Sequence, residues 1–251
     1  MPLLPGAEAH QHDGGPVGAL IVHGFTGSPR SMRPWGEELA SAGLTVSVPR
    51  LPGHGTSWQD LALTRWDDWY AEVDRSFGLL RERCESVYAM GLSMGGSLCL
   101  RLAEQRPDEV TGLVLVNPAV HTERKDRFLL PYARHLIKAF PGIVNDIKKP
   151  GQDEGGYAKM PLQPAYSLQQ AWEQIKLDAG KIVAPLLLLH SRVDHVVEPS
   201  NAEWILANVA SKQRTEVWLE DSYHVATLDN DFPVIVEQSL SFVHDLTPLP
   251  G

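Results

Sequence analysis

Gly91-Leu92-Ser93-Met94-Gly95 places a glycine two positions to either side of a serine, after an apolar run ending at Met90 and before a helix-forming stretch that starts at Ser97. A serine on a strand-to-helix turn of this kind is held in a strained backbone, and flanking glycines remove the Cβ atoms that would collide there. The chemistry this suggests is nucleophilic attack. In a chain with 21 glycines the same five residues also fit an ordinary tight turn, so the pattern needs partners.

A serine hydroxyl is a poor nucleophile at its own pKa. It requires a histidine to take its proton and a carboxylate to orient that histidine, here in the order serine, acid, histidine. Leu186-Leu187-Leu188-Leu189-His190-Ser191-Arg192-Val193-Asp194 sets Asp194 just beyond a buried strand, and Asp221-Ser222-Tyr223-His224 follows the strand-like Glu216 to Leu219. Both reach the carboxyl edge of a parallel sheet, where ligands bind in open α/β folds. Asp194 also fits a solvated loop acid or an N-cap for the helix after Pro199, and Asp221 and Asp229 are rival acids. Of the other nine histidines, His10 and His12 lie in the tail, His121 and His135 in an insertion, and His244 in the last helix. His190 and His195 precede His224 and read as structural, while His23 and His54 shape the site rather than act as base.

Acyl transfer further needs N–H donors aimed at the developing oxyanion. The Met94 N–H follows the nucleophile, and the loop His23-Gly24-Phe25-Thr26-Gly27 offers the Phe25 N–H. Gly24, Leu92, His23 and His54 complete a substrate-binding set around them.

The elements that must position these groups alternate. Val17–Val22, residues 44–48, residues 86–90, residues 113–116, residues 186–189 and residues 216–219 read as strands, the uninterrupted apolar ones suited to burial on both faces. Helical stripes lie between them: Met32, Trp35 and Leu39, then Trp66 to Leu80, then Ser97 to Glu104. Recurrent βα alternation predicts one α/β domain spanning residues 1–251, with a mostly parallel central sheet, helices on both faces and a small helical cap after strand 6. The cap is the interval from about 120 to 180, which shows no strand-like run. Phe128 to Phe140 is expected as one apolar helix, Leu168 to Ile175 as another capped by Ser167 and Gln170, and 148–160 as a mobile polar loop.

The 251 residues carry a net charge of -9. No basic patch invites nucleic acid, and no stretch approaches the roughly 20 apolar residues of a membrane span. Without a basic n-region and apolar h-region at the N-terminus, the expected location is cytoplasmic. Cys84 and Cys99 have no metal-ligand spacing and read as buried thiols.

Five segments together resemble the bacterial carboxylesterases and monoacylglycerol lipases of the α/β-hydrolase superfamily: HGFTG at 23–27, GHG at 53–55, DDW at 67–69, GLSMGG at 91–96 and HVATLD at 224–229. The resemblance spans nearly the whole chain. It implies an α/β-hydrolase fold with Ser93, Asp194 and His224 as triad, Phe25 and Met94 as oxyanion donors, and neither metal nor organic cofactor. The implied substrate is a small ester with an apolar acyl chain, with a monoacylglycerol or another short- to medium-chain monoester first. Thioesters, amides, a carbon–carbon bond or a non-catalytic receptor role on the same fold stand as alternatives.

Overall fold

The computed structural model describes residues 1–247. Its first strand, β1 (His10–His12), is followed by β2 (Val17–Val22), α1 (Arg33–Ser41), β3 (Thr45–Val48), α2 (Trp58–Leu61), α3 (Trp66–Arg81), β4 (Ser86–Leu92), α4 (Met94–Gln105) and β5 (Gly112–Val116). The chain continues through α5 (Leu130–Leu136), β6 (Ala139–Pro141), β7 (Lys159–Pro161), α6 (Leu162–Asp178), β8 (Leu186–Ser191), α7 (Ser200–Asn208), β9 (Arg214–Leu219) and α8 (Phe232–Leu246).

Seven strands form one sheet in the order β1-β3-β2-β4-β5-β8-β9, parallel throughout except for β1, which pairs antiparallel with β3. This meets the expected α/β-hydrolase architecture. The strand period of two divides each central strand between two cores. Leu20 and Val22 of β2, Leu113 and Leu115 of β5, and Leu186 and Leu188 of β8 pack with α3, α4, α6 and α7. Ala19 and Ile21, Val114 and Val116, and Leu187 and Leu189 face the layer of α1 and α8. Each fully buried leucine or valine contributes about 1.5–3 kcal/mol, which explains why these runs are apolar without interruption.

The interval after β5 departs from expectation in several ways. It follows the fifth strand of the chain, not the sixth, since only the edge strand β1 and the four parallel strands β2 to β5 precede it. It contains a two-stranded antiparallel ribbon of β6 and β7 where no strand was expected. The stripe from Phe128 to Phe140 is not one helix. Residues Lys125–Phe128 form a 3-10 turn, α5 spans seven residues with Pro131 in its first turn, and Phe140 lies in β6. A proline ring cannot be accommodated in a helix running through it from the preceding turn, so the helix restarts there. Ser167 does not cap α6, which begins five residues earlier at Leu162 after Pro161. Its hydroxyl instead donates back to the Pro164 carbonyl at 2.8 Å and accepts from the Trp66 N–H at 3.1 Å, joining α6 to α3.

Residues 148–158 form a loop, but a tethered one, and 159–160 already belong to β7. The Tyr157 hydroxyl donates to the Gly53 carbonyl at 3.1 Å and accepts from the Thr56 N–H at 2.7 Å, while Lys148 and Lys149 N–H groups donate to Asp229.

Candidate active site

β4 runs into α4 through Ser93, whose φ of 56° and ψ of -119° lie where a non-glycine residue is strained. The surroundings enforce this geometry. A Cβ on Gly95 would fall 2.0 Å from the Val22 carbonyl oxygen, and one on Gly91 would fall 2.4 Å from the Gly95 carbonyl carbon. Gly24 lies against the serine itself, its Cβ position being 3.4 Å from Ser93 Cβ. Gly95→Ala is expected to destabilise the protein by about 3 kcal/mol or more through overpacking. That corresponds to a fall in Tm of roughly 6–12 °C for a domain of this size, to be read by thermal unfolding; an unchanged Tm would contradict the close approach.

Asp194 lies in the loop after β8 and His224 in the loop after β9, and His224 Nδ1 is 2.8 Å from Asp194 Oδ2. The other oxygen of Asp194 accepts the N–H groups of Val196 and Val197, each at 2.8 Å, so its carboxylate is fixed from both sides. Burial alone pushes the Asp194 carboxyl up, but His224 and these donors outweigh it and hold it below the usual range. Burial alone pulls the His224 ring down, yet Asp194, with Glu154 and Asp146, lifts it above the ordinary value of 6.5. A base must be neutral to accept a proton, so the acid limb of kcat/KM is expected to inflect above pH 6.5, with activity falling below it. An inflection below 6.5 in a pH–rate profile would rule out this electrostatic picture.

The rival acids are engaged elsewhere. The buried Asp229 carboxylate accepts from the N–H groups of Tyr223, Lys148, Lys149 and Asn230, and Asp221 pairs with the Lys148 ammonium at the surface.

Ser93, Met94, His224, Gly24, Phe25 and Leu92 all line one cavity of about 560 Å³. Met94 opens α4, and the leading N–H groups of a helix have no intrahelical acceptor. Phe25 belongs to a loop bent by Thr26 at φ 65° and held by Tyr157, whose N–H donates to the Thr26 carbonyl. His23 and His54, expected among the substrate contacts, are instead fully buried behind that loop and take no part in the cavity wall. His23 Nδ1 donates to the Gly24 carbonyl at 2.9 Å, and its Nε2 accepts from the Leu51 N–H. Burial lowers its pKa to about 4, which keeps the ring neutral and able to do both. Its ring meets that of His54 edge to face, so the pair buttresses the loop.

Three residues with a place in the site escaped sequence reasoning. Asn117, fully buried at φ 45° after β5, donates to the His224 carbonyl at 2.8 Å and to Ser191 Oγ at 3.0 Å, and accepts from the Ser191 N–H. The same stretch holds the serine, since Ser93 N–H donates to the Val116 carbonyl and Ala119 N–H to the Ser93 carbonyl. An Asn-Pro pair directly after an apolar strand was the signal for it. Glu154 and Asp146 of the insertion also line the cavity. They sit in a polar stretch whose contacts are long-range, and nothing local marks them. Among the described residues no group of three His, Cys, Asp or Glu side chains is arranged to hold a metal.

A profile of the family described as serine aminopeptidase, S33, matches residues 18–231. Over 241 residues, 96% of each chain, the sequence is 44% identical to the thermostable monoacylglycerol lipase of Bacillus sp. (strain H-257). It is 30% identical to the carboxylesterase of Bacillus subtilis (strain 168) across 93% of this chain and 94% of that one. A solved structure reported with LipS and LipT, two metagenome-derived lipolytic enzymes, superposes with a TM-score of 0.94 at 40% identity, covering 97% of this chain and all of that one. The chain therefore belongs to the serine aminopeptidase S33 family of α/β-hydrolases.

Proposed function

We propose that this protein is a serine carboxylic-ester hydrolase of the EC 3.1.1 class that cleaves monoacylglycerols and other short- to medium-chain monoesters through an acyl-enzyme on Ser93. His224 takes the Ser93 proton as Oγ attacks the ester carbonyl, and the Phe25 and Met94 N–H groups receive the resulting oxyanion. The proton passes to the departing alcohol. Water, deprotonated by His224 in turn, releases the carboxylic acid and restores the hydroxyl. Asp194 fixes the tautomer with its proton on Nδ1 and steadies the imidazolium.

The observation that carries this reading is His224, held by the buried Asp194, opening with the strained Ser93 onto one cavity. Its wall is apolar at Ala133, Ile137, Phe140, Leu162 and Leu168, as an acyl chain requires, while Thr26, Ser31 and Glu154 offer polar groups suited to the hydroxyls of a glyceryl ester. The relatives named for monoacylglycerol and carboxylic-ester cleavage support the substrate class. We read residues 120–180 as a cap on a single domain, since both helices of that segment contribute to the cavity wall. Two buried, unpaired cysteines suit a reducing, cytoplasmic setting. No helix among the described residues is long and apolar enough to cross a membrane.

The test is turnover of p-nitrophenyl esters of increasing chain length, monoacylglycerols and matched thioesters. The expected result is ester hydrolysis with an optimum at short to medium chains. Turnover of thioesters alone would overturn the assignment.

A further inference from the structure

We propose that Asp146, carried by the insertion and not by the sheet, is a positioning residue that clamps the Asp194 loop to the His224 loop. This rests on the reading of His224 as the base. The contacts radiate from one carboxylate: Asp146 Oδ2 accepts the His224 N–H at 3.1 Å and the His195 N–H at 3.2 Å, and Oδ1 lies 2.7 Å from His195 Nδ1. Its backbone carbonyl accepts the Val225 N–H at 3.0 Å. Asp146 thus grips the residue after the acid, the base itself and the residue after the base. The His195 ring packs edge to face on Tyr223 at 4.7 Å between centroids, closing the loop pair on its outer side.

Position explains why a carboxylate is used. Asn117 holds the His224 carbonyl from the sheet side, so the base is gripped at its carbonyl from below and at its N–H from above. A neutral acceptor meets the backbone N–H groups but adds no charge. The Asp146 carboxylate does, because it faces His224 together with Asp194 and Glu154 and favours the imidazolium formed during turnover. The remaining titratable neighbours work otherwise. His190 of β8 is itself kept neutral, its pKa lowered by burial and by His224 against the pull of Asp194. Asp229 spends its oxygens on backbone donors.

The test compares Asp146→Asn and Asp146→Glu with the wild type in full pH–rate profiles and thermal melts, with His224→Gln assayed alongside. For Asp146→Asn, kcat is expected to fall about 10- to 100-fold with KM changed by less than about twofold, as misplacement of a reacting group produces. The acid limb of kcat/KM moves to lower pH, because removing a negative charge near His224 lets its pKa fall. Asp146→Glu, which keeps the charge and lengthens the arm, is expected to return the acid limb toward the wild-type position while kcat recovers only in part. A purely structural residue lowers Tm and leaves the acid limb in place; that result, or a wild-type kcat in Asp146→Asn, overturns the proposal. If the asparagine variant does not fold, a Glu variant with unaltered kcat overturns it equally. Retained activity in His224→Gln instead removes the underlying assignment of the base, so the two failures are told apart.

Discussion

Ser93→Ala is expected to lower kcat for ester hydrolysis by about 10⁴-fold or more, since deleting the nucleophile leaves only what oxyanion donors and binding can supply. The substitution removes one oxygen and nothing that supports the fold. The Ser93 N–H and carbonyl bonds to Val116 and Ala119 are backbone bonds and survive, and alanine meets the same strain at φ 56° that serine does. The expected Tm is therefore close to that of the wild type, and the cavity keeps its shape for ligand. Side-by-side kinetics on one monoacylglycerol, with melting curves for both proteins, make the comparison. Substantial activity in a folded Ser93→Ala protein would require a different nucleophile and would end the mechanism proposed above.

Asp194→Asn is expected to cost a similar amount, about 10⁴-fold in kcat. An asparagine can keep its oxygen on the Val196 and Val197 N–H groups, which leaves an NH2 group facing His224 Nδ1. That nitrogen must then accept a hydrogen bond, so the ring carries its proton on Nε2 and cannot take one from Ser93. The loss thus arises from the tautomer and not from disorder of the loop. Asp221→Asn serves as the contrast, because Asp221 spends its side chain on a surface pair with Lys148. Kinetic constants within about twofold of the wild type are expected for it, as exposed ion pairs contribute little. Equal losses in the two variants would mean that the carboxylate on His224 had been misassigned.

How far the sequence disclosed this site depended on whether a residue works locally or at long range. The strands were visible because each central one is buried on both faces and so must be apolar without a break, as Leu186 to Leu189 shows. Strand β1 was not, since His10-Gln11-His12 lies at a sheet edge, half exposed, and needs no apolar residues. Ser93 announced itself through glycines that its own turn requires. Asp194 and His224 followed from chain order and from the strands before them. Asp146 and Glu154 act through partners 78 and 9 residues away, and no local pattern encodes such a contact; Asn117, 107 residues from His224, was marked only by the proline that follows it. His23 and His54 were assigned to the right loops but the wrong surface: conformation of the loop, not contact with ligand, is what their rings secure.

The two helices of the insertion differ in how they are held. α6 buries Leu168, Ala171 and Ile175 in the core beneath the sheet, whereas α5 buries no side chain at all and leaves Tyr132 and Leu136 three-quarters or more exposed. Segments with few buried contacts open at the lowest free energy. Of the two helices that line the cavity, α5, held to α6 chiefly through Arg134 on Gln163 and the Tyr166 ring, is therefore the one expected to open first. Opening on the α5 side is the expected route for an ester and its acid product, because it leaves α6, the tethered Tyr157 and the loops that carry Asp194 and His224 in place.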